Sequence, residues 1–377
     1  MSDKIRKYIV SIVWFFLTLF NVADIKSKSI FLRKIIIYCH IVRKDLTVSV
    51  FPWRAKINTG YKCSLKCPLC PTGLRESPQK DDLTVKMFGF FLEKLKPVKE
   101  IYLFGWGEPL LNKDIFEMIR MAKKEGKYIA IDSCLNIAND DKLNELVESE
   151  LDFLSISLDG TGQETYSKYR AGGDFDLVFN NIKKIQEIKK KRKTTKPRLQ
   201  WQYCVNRYNQ ENMSIAKKMA RGLNIGIKFI PIGLYLDCLN RVDAKAANEW
   251  LPFKNKRVLA GQNSAETPIN DAGYCCLLYC FPFIDVDGNV YFCCPCSVAT
   301  PKNSIIDDSF AVSAGSLKNT DLLEILNNDI YQHARGLFSK KKTKDLGRPM
   351  ACDACRRYKK ICSGDFLETA EDISRIL

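Results

Sequence analysis

From about residue 54, short apolar runs of alternating polarity are separated by longer amphipathic segments. The short runs are typical of strands, and apolar positions that repeat every three or four residues are typical of helices. Strands are therefore predicted at 54–61, 100–105, 127–132, 153–160, 198–205 and 225–232, and helices near 84–96, 113–125, 139–149, 176–192 and 210–221. Such alternation predicts a parallel sheet with right-handed crossovers.

This sheet is expected to curl, so the predicted fold class is α/β, a partial (β/α)6 TIM-like barrel followed by a C-terminal cysteine-rich domain. In barrels of this kind ligands bind at the C-terminal ends of the strands. The alternation stops near residue 233. The predicted division is an apolar, basic segment at 1–53, the barrel at 54–232, an irregular connector at 233–272 and a second unit at 273–377.

The N-terminal segment combines apolar runs with positive charge. A thirteen-residue apolar run at 8–20 follows three basic residues and resembles a signal peptide, but "NVA" at 21–23 is a poor cleavage site. The run is shorter than the roughly 20 apolar residues of a membrane-spanning helix. Residues 1–56 contain eleven Lys and Arg against three Asp, which is half of the net charge of +16.

A second apolar stripe follows within the same segment, with basic residues on its flanks. Its members are Phe31, Ile35, Tyr38 and Val42. An apolar stripe with basic flanks is typical of a helix that lies in an anionic membrane surface. A hairpin of helices packed on the catalytic domain would show the same pattern, and both interpretations stay open.

Composition directs attention to cysteine. With 377 residues and 46% hydrophobic content, the chain is expected to form about two globular domains, which excludes disorder, collagen and coiled coil. It contains sixteen cysteines but two histidines, His40 and His333, which leave little room for histidine metal sites or Ser-His-Asp catalysis. Two further basic runs, 189–198 and 340–344, are interpreted as solvated helix ends and loops.

The sequence "CSLKCPLC" places Cys63, Cys67 and Cys70 on the loop after the first predicted strand. Three thiolates on one tight loop can hold three corners of a cubane cluster, because iron–sulfur clusters are bound by cysteine thiolates. A structural zinc site normally has four protein ligands, and nothing near this loop supplies the fourth. Three ligands would leave one iron open to a substrate or cofactor, which is a catalytic arrangement.

This three-cysteine spacing resembles the radical S-adenosylmethionine (radical SAM) superfamily. "GWGEP" at 105–109 is similar to the family turn that hydrogen-bonds the methionyl amine, and "ISLDG" with "TYSKYRAGG" closely resembles relatives that carry a C-terminal cluster domain. The resemblance implies that the cysteine loop binds a [4Fe-4S] cluster and S-adenosylmethionine. It also implies contacts between the cofactor and Trp106, Gly107, Glu108, Ser133, Ser157 and Arg170. Cys134 departs from the Thr-Asn pair of relatives.

The C-terminal unit contains nine of the cysteines, and "VDGN" between two apolar runs predicts a hairpin. Residues 315–335 are predicted to form a helical connector. The pattern resembles the SPASM-type auxiliary cluster domain, which implies one auxiliary [4Fe-4S] cluster on Cys275, Cys293, Cys352 and Cys355, with Cys276, Cys280 and Cys294 as competitors. Phe366 stands where the two-cluster pattern has a cysteine. A zinc ribbon is the alternative, since its ligand spacing is similar.

The remaining cysteines include Cys39, Cys134, Cys204 and Cys238, which are interpreted as buried apolar thiols. No disulfide is expected, because reduced clusters imply a reducing cytosol. The predicted location is therefore the cytoplasm, with peripheral attachment to the inner face of the membrane as an extension of the N-terminal hypothesis.

The resemblance implies an oxidoreductase that reductively cleaves S-adenosylmethionine and uses the 5′-deoxyadenosyl radical to take hydrogen from a substrate C–H bond. The expected substrate is a sugar, an aminocyclitol or another small or lipid-linked molecule, which is oxidised or epimerised. A flavodoxin or ferredoxin is the expected electron donor. Two alternatives stay open: a SPASM-type maturase of a ribosomally synthesised peptide, and a non-catalytic iron–sulfur or zinc protein that binds nucleic acid. The charge pattern disfavours the last, because basic residues are not interleaved with aromatic residues.

Overall fold

The computed structural model describes residues 30–74, 80–232, 249–250, 275–293, 313–339, 341–347 and 352. The helices in these ranges are α1 Ile30–Arg43, α2 Val85–Lys94, α3 Ile115–Lys124, α4 Asp140–Glu148, α5 Gln163–Tyr169, α6 Phe175–Lys191, α7 Met213–Gly222, α8 Leu277–Cys280, α9 Leu322–Ile325 and α10 Asp329–Gly336. The strands are β1 Arg54–Ile57, β2 Glu100–Leu103, β3 Tyr128–Ser133, β4 Phe153–Ser157, β5 Arg198–Val205, β6 Gly226–Pro231, β7 Phe283–Ile284, β8 Asn289–Tyr291 and β9 Gly315–Ser316.

The strands form one sheet in the order β6-β5-β4-β3-β2-β1-β7-β8-β9. Strands β1 to β6 pair in parallel with their sequence neighbours and are connected by helices, as the alternating pattern predicts. The α/β prediction with a parallel sheet is confirmed. The sheet continues beyond β1, because β7 pairs in parallel with it and begins an antiparallel hairpin with β8. The C-terminal unit is therefore hydrogen-bonded directly to the first barrel strand.

The two faces of the parallel sheet differ in polarity. Residues such as Ile57, Ile101, Leu154 and Trp201 point to the face that packs on the helices and are fully buried. Alternate residues point to the other face and are half-buried along β1, β2 and much of β5. The hydrophobic core therefore lies between sheet and helices, and the inner face of the curled sheet is left for other contacts.

Helix α1 packs on the folded domain through one face. Its buried residues include Ile36, Ile37 and Ile41, and the Arg33 guanidinium donates a hydrogen bond to the carbonyl of Pro97. The predicted apolar stripe lies on the other side: Phe31 is exposed, and the rest of the stripe is half-buried. The predicted apolar run at 8–20 lies outside the described residues. Within the described ranges, no helix is long and apolar enough to cross a membrane.

One predicted element differs from the element that the structure shows. The helical connector expected at 315–335 is helical only from Leu322 onwards, in α9 and α10. Gly315 and Ser316 instead form β9, which pairs with Val290 and Asn289 of the hairpin. This pairing gives hydrogen-bond partners to the backbone N–H and C=O groups at the edge of β8, which would otherwise be unpaired. The pairing between strands therefore overrides the local helical pattern of residues 315 and 316.

Candidate active site

A cavity of about 200 Å³ opens at the C-terminal ends of the parallel strands. All residues of the first predicted site line it: Cys63, Cys67, Cys70, Trp106, Gly107, Glu108, Ser133, Ser157 and Arg170. They come from five separate stretches of sequence. The loops after β1, β2, β3 and β4 meet here because parallel strands end at the same edge of the sheet.

The cysteine loop is held in a compact conformation by its own backbone. The amide of Cys70 donates to the carbonyl of Cys67 at 3.1 Å, and the amide of Leu74 donates to the carbonyl of Cys70 at 2.9 Å. The amide of Lys66 donates to the carbonyl of Ala171 at 2.8 Å, which fastens the loop to the segment after α5. The three thiols are consequently fixed along one wall of the cavity.

The "GWGEP" turn packs directly against this loop. A Cβ atom added to Gly107 would lie 2.6 Å from the carbonyl oxygen of Gly60, so a larger residue would push the two segments apart. The amide of Glu108 donates to the carbonyl of Lys62 at 2.8 Å, and the Thr72 hydroxyl donates to the carbonyl of Trp106 at 2.6 Å. Backbone contacts therefore determine where this turn lines the cavity.

The Glu108 carboxylate is fully engaged with the protein. One oxygen accepts from the Ser133 hydroxyl at 2.7 Å and the Leu110 amide at 3.0 Å, and the other accepts from the Cys134 amide at 2.7 Å. The Ser133 hydroxyl in turn accepts from the amide of Leu135 at 2.8 Å. These side chains join the ends of β2 and β3, so the proton of Ser133 is committed to Glu108.

Arg170 forms a buried ion pair with Asp159. Its Nε lies 2.6 Å from Asp159 Oδ2, and its Nη1 lies 3.8 Å from the sulfur of Cys67. Burial raises the pKa of the Asp159 carboxyl, and the charge of Arg170 opposes that rise. The backbone amide of Cys204 also donates to Asp159. Asp159 therefore orients Arg170 beside the cysteine loop.

Several cavity residues were not predicted. Asp132, Tyr169, Gln202, Cys134 and Cys204 line it. Cys134 and Cys204 were expected to be buried apolar thiols, but both also border the cavity. Cys39 is buried in α1, as expected. Cys238 lies outside the described residues. For Asp132, Gln202 and Cys204 the available signal was the two-residue strand period, which places their side chains on the inner face.

The Asp132 carboxyl lies in the cavity and has a raised pKa. Burial raises the pKa of its carboxyl to about 6, while the charges of Lys56 and Lys228 and a hydrogen bond from Ser155 oppose the rise. Burial also raises the pKa of the Tyr169 hydroxyl, well above its ordinary value.

The donor set at the cysteine loop suits an iron–sulfur cluster. Three thiols share the cavity wall, the amide of Leu65 donates to the Cys63 sulfur at 3.5 Å, and the Arg170 cation approaches Cys67. Hydrogen-bond donors and positive charge both stabilise thiolates. In the described part of the chain, no three His, Cys, Asp or Glu side chains converge as they would for a single metal ion.

The C-terminal cysteines are arranged over a larger part of the fold. Cys275 precedes α8, Cys293 follows β8, and Cys352 is buried; all three belong to or pack against the main hydrophobic core. The thiol of Cys280 donates a hydrogen bond to the backbone carbonyl of Cys276 at 3.2 Å, and both side chains are buried. Cys294 and Cys355 lie outside the described residues.

Comparison with known families agrees with this geometry. Residues 57–196 match the radical SAM superfamily, and residues 275–356 match the SPASM iron-sulfur cluster-binding domain. The chain therefore contains a radical SAM domain followed by a SPASM domain. These two domains imply S-adenosylmethionine with a [4Fe-4S] cluster, and an auxiliary iron–sulfur cluster in the SPASM domain, as the cofactors.

Individual relatives cover parts of the chain. A tungsten-containing aldehyde ferredoxin oxidoreductase cofactor-modifying protein of Pyrococcus furiosus is 29% identical over 174 residues, 44% of this chain and 47% of the relative. The Fe-coproporphyrin III synthase of Methanosarcina barkeri is 26% identical over 132 residues, 34% of this chain and 33% of that enzyme. The match thus spans less than half of either relative.

Streptococcus suis SuiB bound to its precursor peptide SuiA shares the fold. The similarity has a TM-score of 0.56 at 15% identity and covers 84% of this chain and 73% of SuiB. At this identity the comparison describes the architecture, which extends over both the barrel and the C-terminal unit.

Proposed function

We propose that this radical SAM protein is an oxidoreductase that removes hydrogen from a C–H bond of a small hydroxylated or lipid-linked molecule. The observation that carries the proposal is the single cavity shared by Cys63, Cys67 and Cys70 with Arg170 and Asp132. When bound at the three cysteines, the cluster and S-adenosylmethionine supply the 5′-deoxyadenosyl radical. The barrel proposed at 54–232 supplies the binding surface.

The side chains at the cavity have distinct proposed roles. Arg170, oriented by Asp159, binds the carboxylate of S-adenosylmethionine, and the "GWGEP" backbone at Trp106 and Gly107 binds its amino group. Ser157 lies at the end of β4 and contacts the ribose. Ser133 and Glu108 act on the cofactor indirectly, because their side chains hold the ends of β2 and β3 together.

The auxiliary cluster is proposed to bind Cys275, Cys293, Cys352 and Cys355, within a domain at 273–377. Cys276 and Cys280 are the competitors for these positions; both are buried, and the Cys280 thiol donates to the carbonyl of Cys276 at 3.2 Å. With an electron acceptor there, the net reaction is oxidation of the substrate, and a proton leaves with the second electron. If a thiol instead returns a hydrogen atom, the reaction is epimerisation; Cys134 and Cys204 border the cavity.

The test is anaerobic incubation of reconstituted full-length protein with S-adenosylmethionine and dithionite, followed by assay of 5′-deoxyadenosine. Product well above a cluster-free control is expected. Product at the level of that control would remove the enzyme proposal. The physiological reductant is proposed to be a flavodoxin or ferredoxin, which should replace dithionite in the same assay.

Maturation of a ribosomal peptide is the second candidate function. It is favoured by the fold shared with SuiB, whose structure contains a precursor peptide. A peptide substrate would be recognised over an extended surface, so neutral and charged small molecules would fail to bind in the cavity. Binding measurements with such molecules therefore separate the two candidates.

Attachment to an anionic membrane surface, from the cytoplasmic side, is proposed from the charge of residues 1–56 and from the apolar stripe of α1, in which Phe31 is exposed. Vesicles of phosphatidylserine and phosphatidylcholine should bind the protein at low salt and release it at high salt, because exposed charges are screened. If vesicles of phosphatidylcholine alone bound as much protein as the anionic vesicles, the proposal would be contradicted.

A further inference from the structure

The end of α5 and the two residues after it are fixed against the cysteine loop. The Tyr169 ring packs against the small buried cluster that contains Cys67. The next residue, Arg170, donates from Nη1 to the Cys67 sulfur at 3.8 Å, and the carbonyl of Ala171 accepts from the amide of Lys66 at 2.8 Å. Contacts of both neighbours therefore hold Arg170 beside Cys67.

The guanidinium of Arg170 has a second fixed partner in Asp159. Its Nε lies 2.6 Å from Asp159 Oδ2, and the Asp159 side chain is fully buried. Asp159 is itself held in place, because its other carboxylate oxygen accepts from the amide of Cys204 and its carbonyl accepts from Asn209 Nδ2 at 3.1 Å. One carboxylate thus determines the direction in which the planar guanidinium presents its other N–H groups.

This arrangement places a positive charge beside a cysteine sulfur where water has little access. The Arg170 side chain is 17% exposed, and Cys67 is 5% exposed. Arginine stays protonated in proteins, and the interaction of a charge with its neighbours is screened less in such surroundings than on an open surface. Asp159 offsets part of the charge, but an N–H group of Arg170 remains directed at the sulfur.

A charged donor to a ligand sulfur affects the reduction potential of an iron–sulfur cluster. Hydrogen bonds to the sulfur atoms and nearby charge are among the factors that set this potential. Reduction adds one electron, so the reduced state is more negative and is stabilised more strongly by a nearby cation. The Leu65 amide also donates to a sulfur of the loop, that of Cys63, at 3.5 Å. Arg170 differs from this donor in carrying a full charge.

We infer that Arg170 raises the reduction potential of the cluster proposed at Cys63, Cys67 and Cys70, called the loop cluster below. Asp159 acts through Arg170 and is a positioning residue. The inference rests on the proposed function, because it requires a cluster at these three cysteines. It adds a second role for Arg170, which makes the loop cluster easier to reduce before any cofactor carboxylate is bound.

The test is an anaerobic redox titration of full-length, reconstituted protein with dithionite, in the absence of S-adenosylmethionine. Leaving out S-adenosylmethionine keeps the proposed contact between Arg170 and its carboxylate from influencing the result. Electron paramagnetic resonance follows the reduced loop cluster, whose signal is the one that Cys63→Ala lacks. Arg170→Gln removes the charge and should make the loop cluster about tenfold harder to reduce. For a one-electron couple this is a fall of about 59 mV in midpoint potential.

Arg170→Lys keeps the charge but lacks the planar fork that bonds to Asp159 and Cys67 together, so it should lower the potential by less than Arg170→Gln does. Arg120→Gln is the matched control, because this arginine lies on α3 and pairs with the half-exposed Glu117 and Glu145. Its loop cluster should have the wild-type potential. The auxiliary cluster should titrate as in wild type in all three variants, because its proposed ligands are elsewhere in the chain.

A wild-type midpoint potential in Arg170→Gln with full iron would overturn the inference. An equal fall in Arg120→Gln would also overturn it, since the effect would then not be local. Where Arg170→Gln fails to retain iron, Arg170→Lys is judged by the same criterion. Wild-type protein without iron at the three cysteines would overturn the proposed function, whereas an unchanged potential in a fully loaded variant would overturn the redox role of Arg170 alone.

Discussion

The two cysteine regions of this molecule are assembled in different ways. Cys63, Cys67 and Cys70 lie within eight residues on one loop, and short backbone hydrogen bonds fix that loop. Cys275, Cys293 and Cys352 are distant in sequence and are positioned by a hairpin and by packing on the core. The first region depends on local conformation, and the second depends on the completed sheet. Mutations should therefore affect the two regions separately.

The largest effect is expected for Cys63→Ala. Cys63 is one of the three cysteines proposed to bind the cluster, so its loss should remove about four irons per chain and abolish 5′-deoxyadenosine formation. Iron analysis and the product assay measure both outcomes. Cys39→Ala, in the buried face of α1, should retain iron and activity, and a Cys63→Ala protein with full iron would contradict the local assignment.

Removal of the whole loop site tests its independence from the second region. The variant lacking Cys63, Cys67 and Cys70 should still be brown and retain about four irons, because the auxiliary cluster has its own ligands. A colourless protein with one zinc would show a zinc ribbon, since that ion has no visible absorption. About eight remaining irons would show two auxiliary clusters.

Asp159→Asn should lower the free energy of unfolding of the domain that contains the parallel strands. Arg170, whose side chain is 17% exposed, would lose its counter-charge, and the cost should be at most about 3–5 kcal/mol, that of breaking a fully buried ion pair. Denaturant unfolding measures this loss. Glu148→Gln removes the partner of Arg192 in an exposed pair and should cost less than about 1 kcal/mol. Equal effects of the two substitutions would show that the Asp159–Arg170 pair is solvated.

Gly288→Ala should affect the second region without touching a cysteine. Gly288 has φ of +91° in the β7–β8 turn, and an added Cβ would lie 3.1 Å from the Phe91 ring. The left-handed conformation alone costs roughly 1–2 kcal/mol in other residues. Part of the auxiliary iron should be lost while 5′-deoxyadenosine formation persists. Gly126→Ala, with φ of +67° and open space around it, is the control.

The smallest effect concerns pH. The raised pKa of Asp132, about 6, means that the folded protein binds this proton more tightly than the unfolded chain does. The stability of wild type should therefore decrease as the pH rises from about 4 to 6, and Asp132→Asn should remove that decrease. Above pH 7 the variant should be more stable by on the order of 1–2 kcal/mol, allowing for partial exposure. If wild type and Asp132→Asn had the same free energy of unfolding at every pH in this range, Asp132 would be shown to be well solvated.

The local part of the fold and site was predictable from sequence, because hydrophobic periodicity locates strands and loops. The helix predicted at 176–192 is observed as Phe175–Lys191, and the strand at 198–205 has the same bounds. The pairing of β1 with β7 was not predicted, since the two segments are more than 200 residues apart. Spacing also did not show that Ser133 bonds to Glu108.

Two residues on the inner face of the sheet, Asp132 and Gln202, were not predicted as site residues, for a related reason. Alternation in β3 and β5 separates Asp132 and Gln202 from the buried residues, but polarity alone does not show that both point into one cavity. That direction follows from the curl of the complete sheet and from the register between strands. The residue types at these positions can be read from the sequence, but their closeness in space follows only from the assembled sheet.

Strand β1 has a parallel partner on each side, β2 and β7. The chain leaving β1 leads to Cys63, and the chain entering β7 comes from α8, next to Cys275. Electron tunnelling between iron–sulfur centres slows steeply with distance, so centres on hinged domains would exchange electrons at a rate that varies with the hinge. Here β1 and β7 belong to one continuous sheet, whose backbone hydrogen bonds join the two segments. Exchange between the two regions should therefore be insensitive to solvent viscosity.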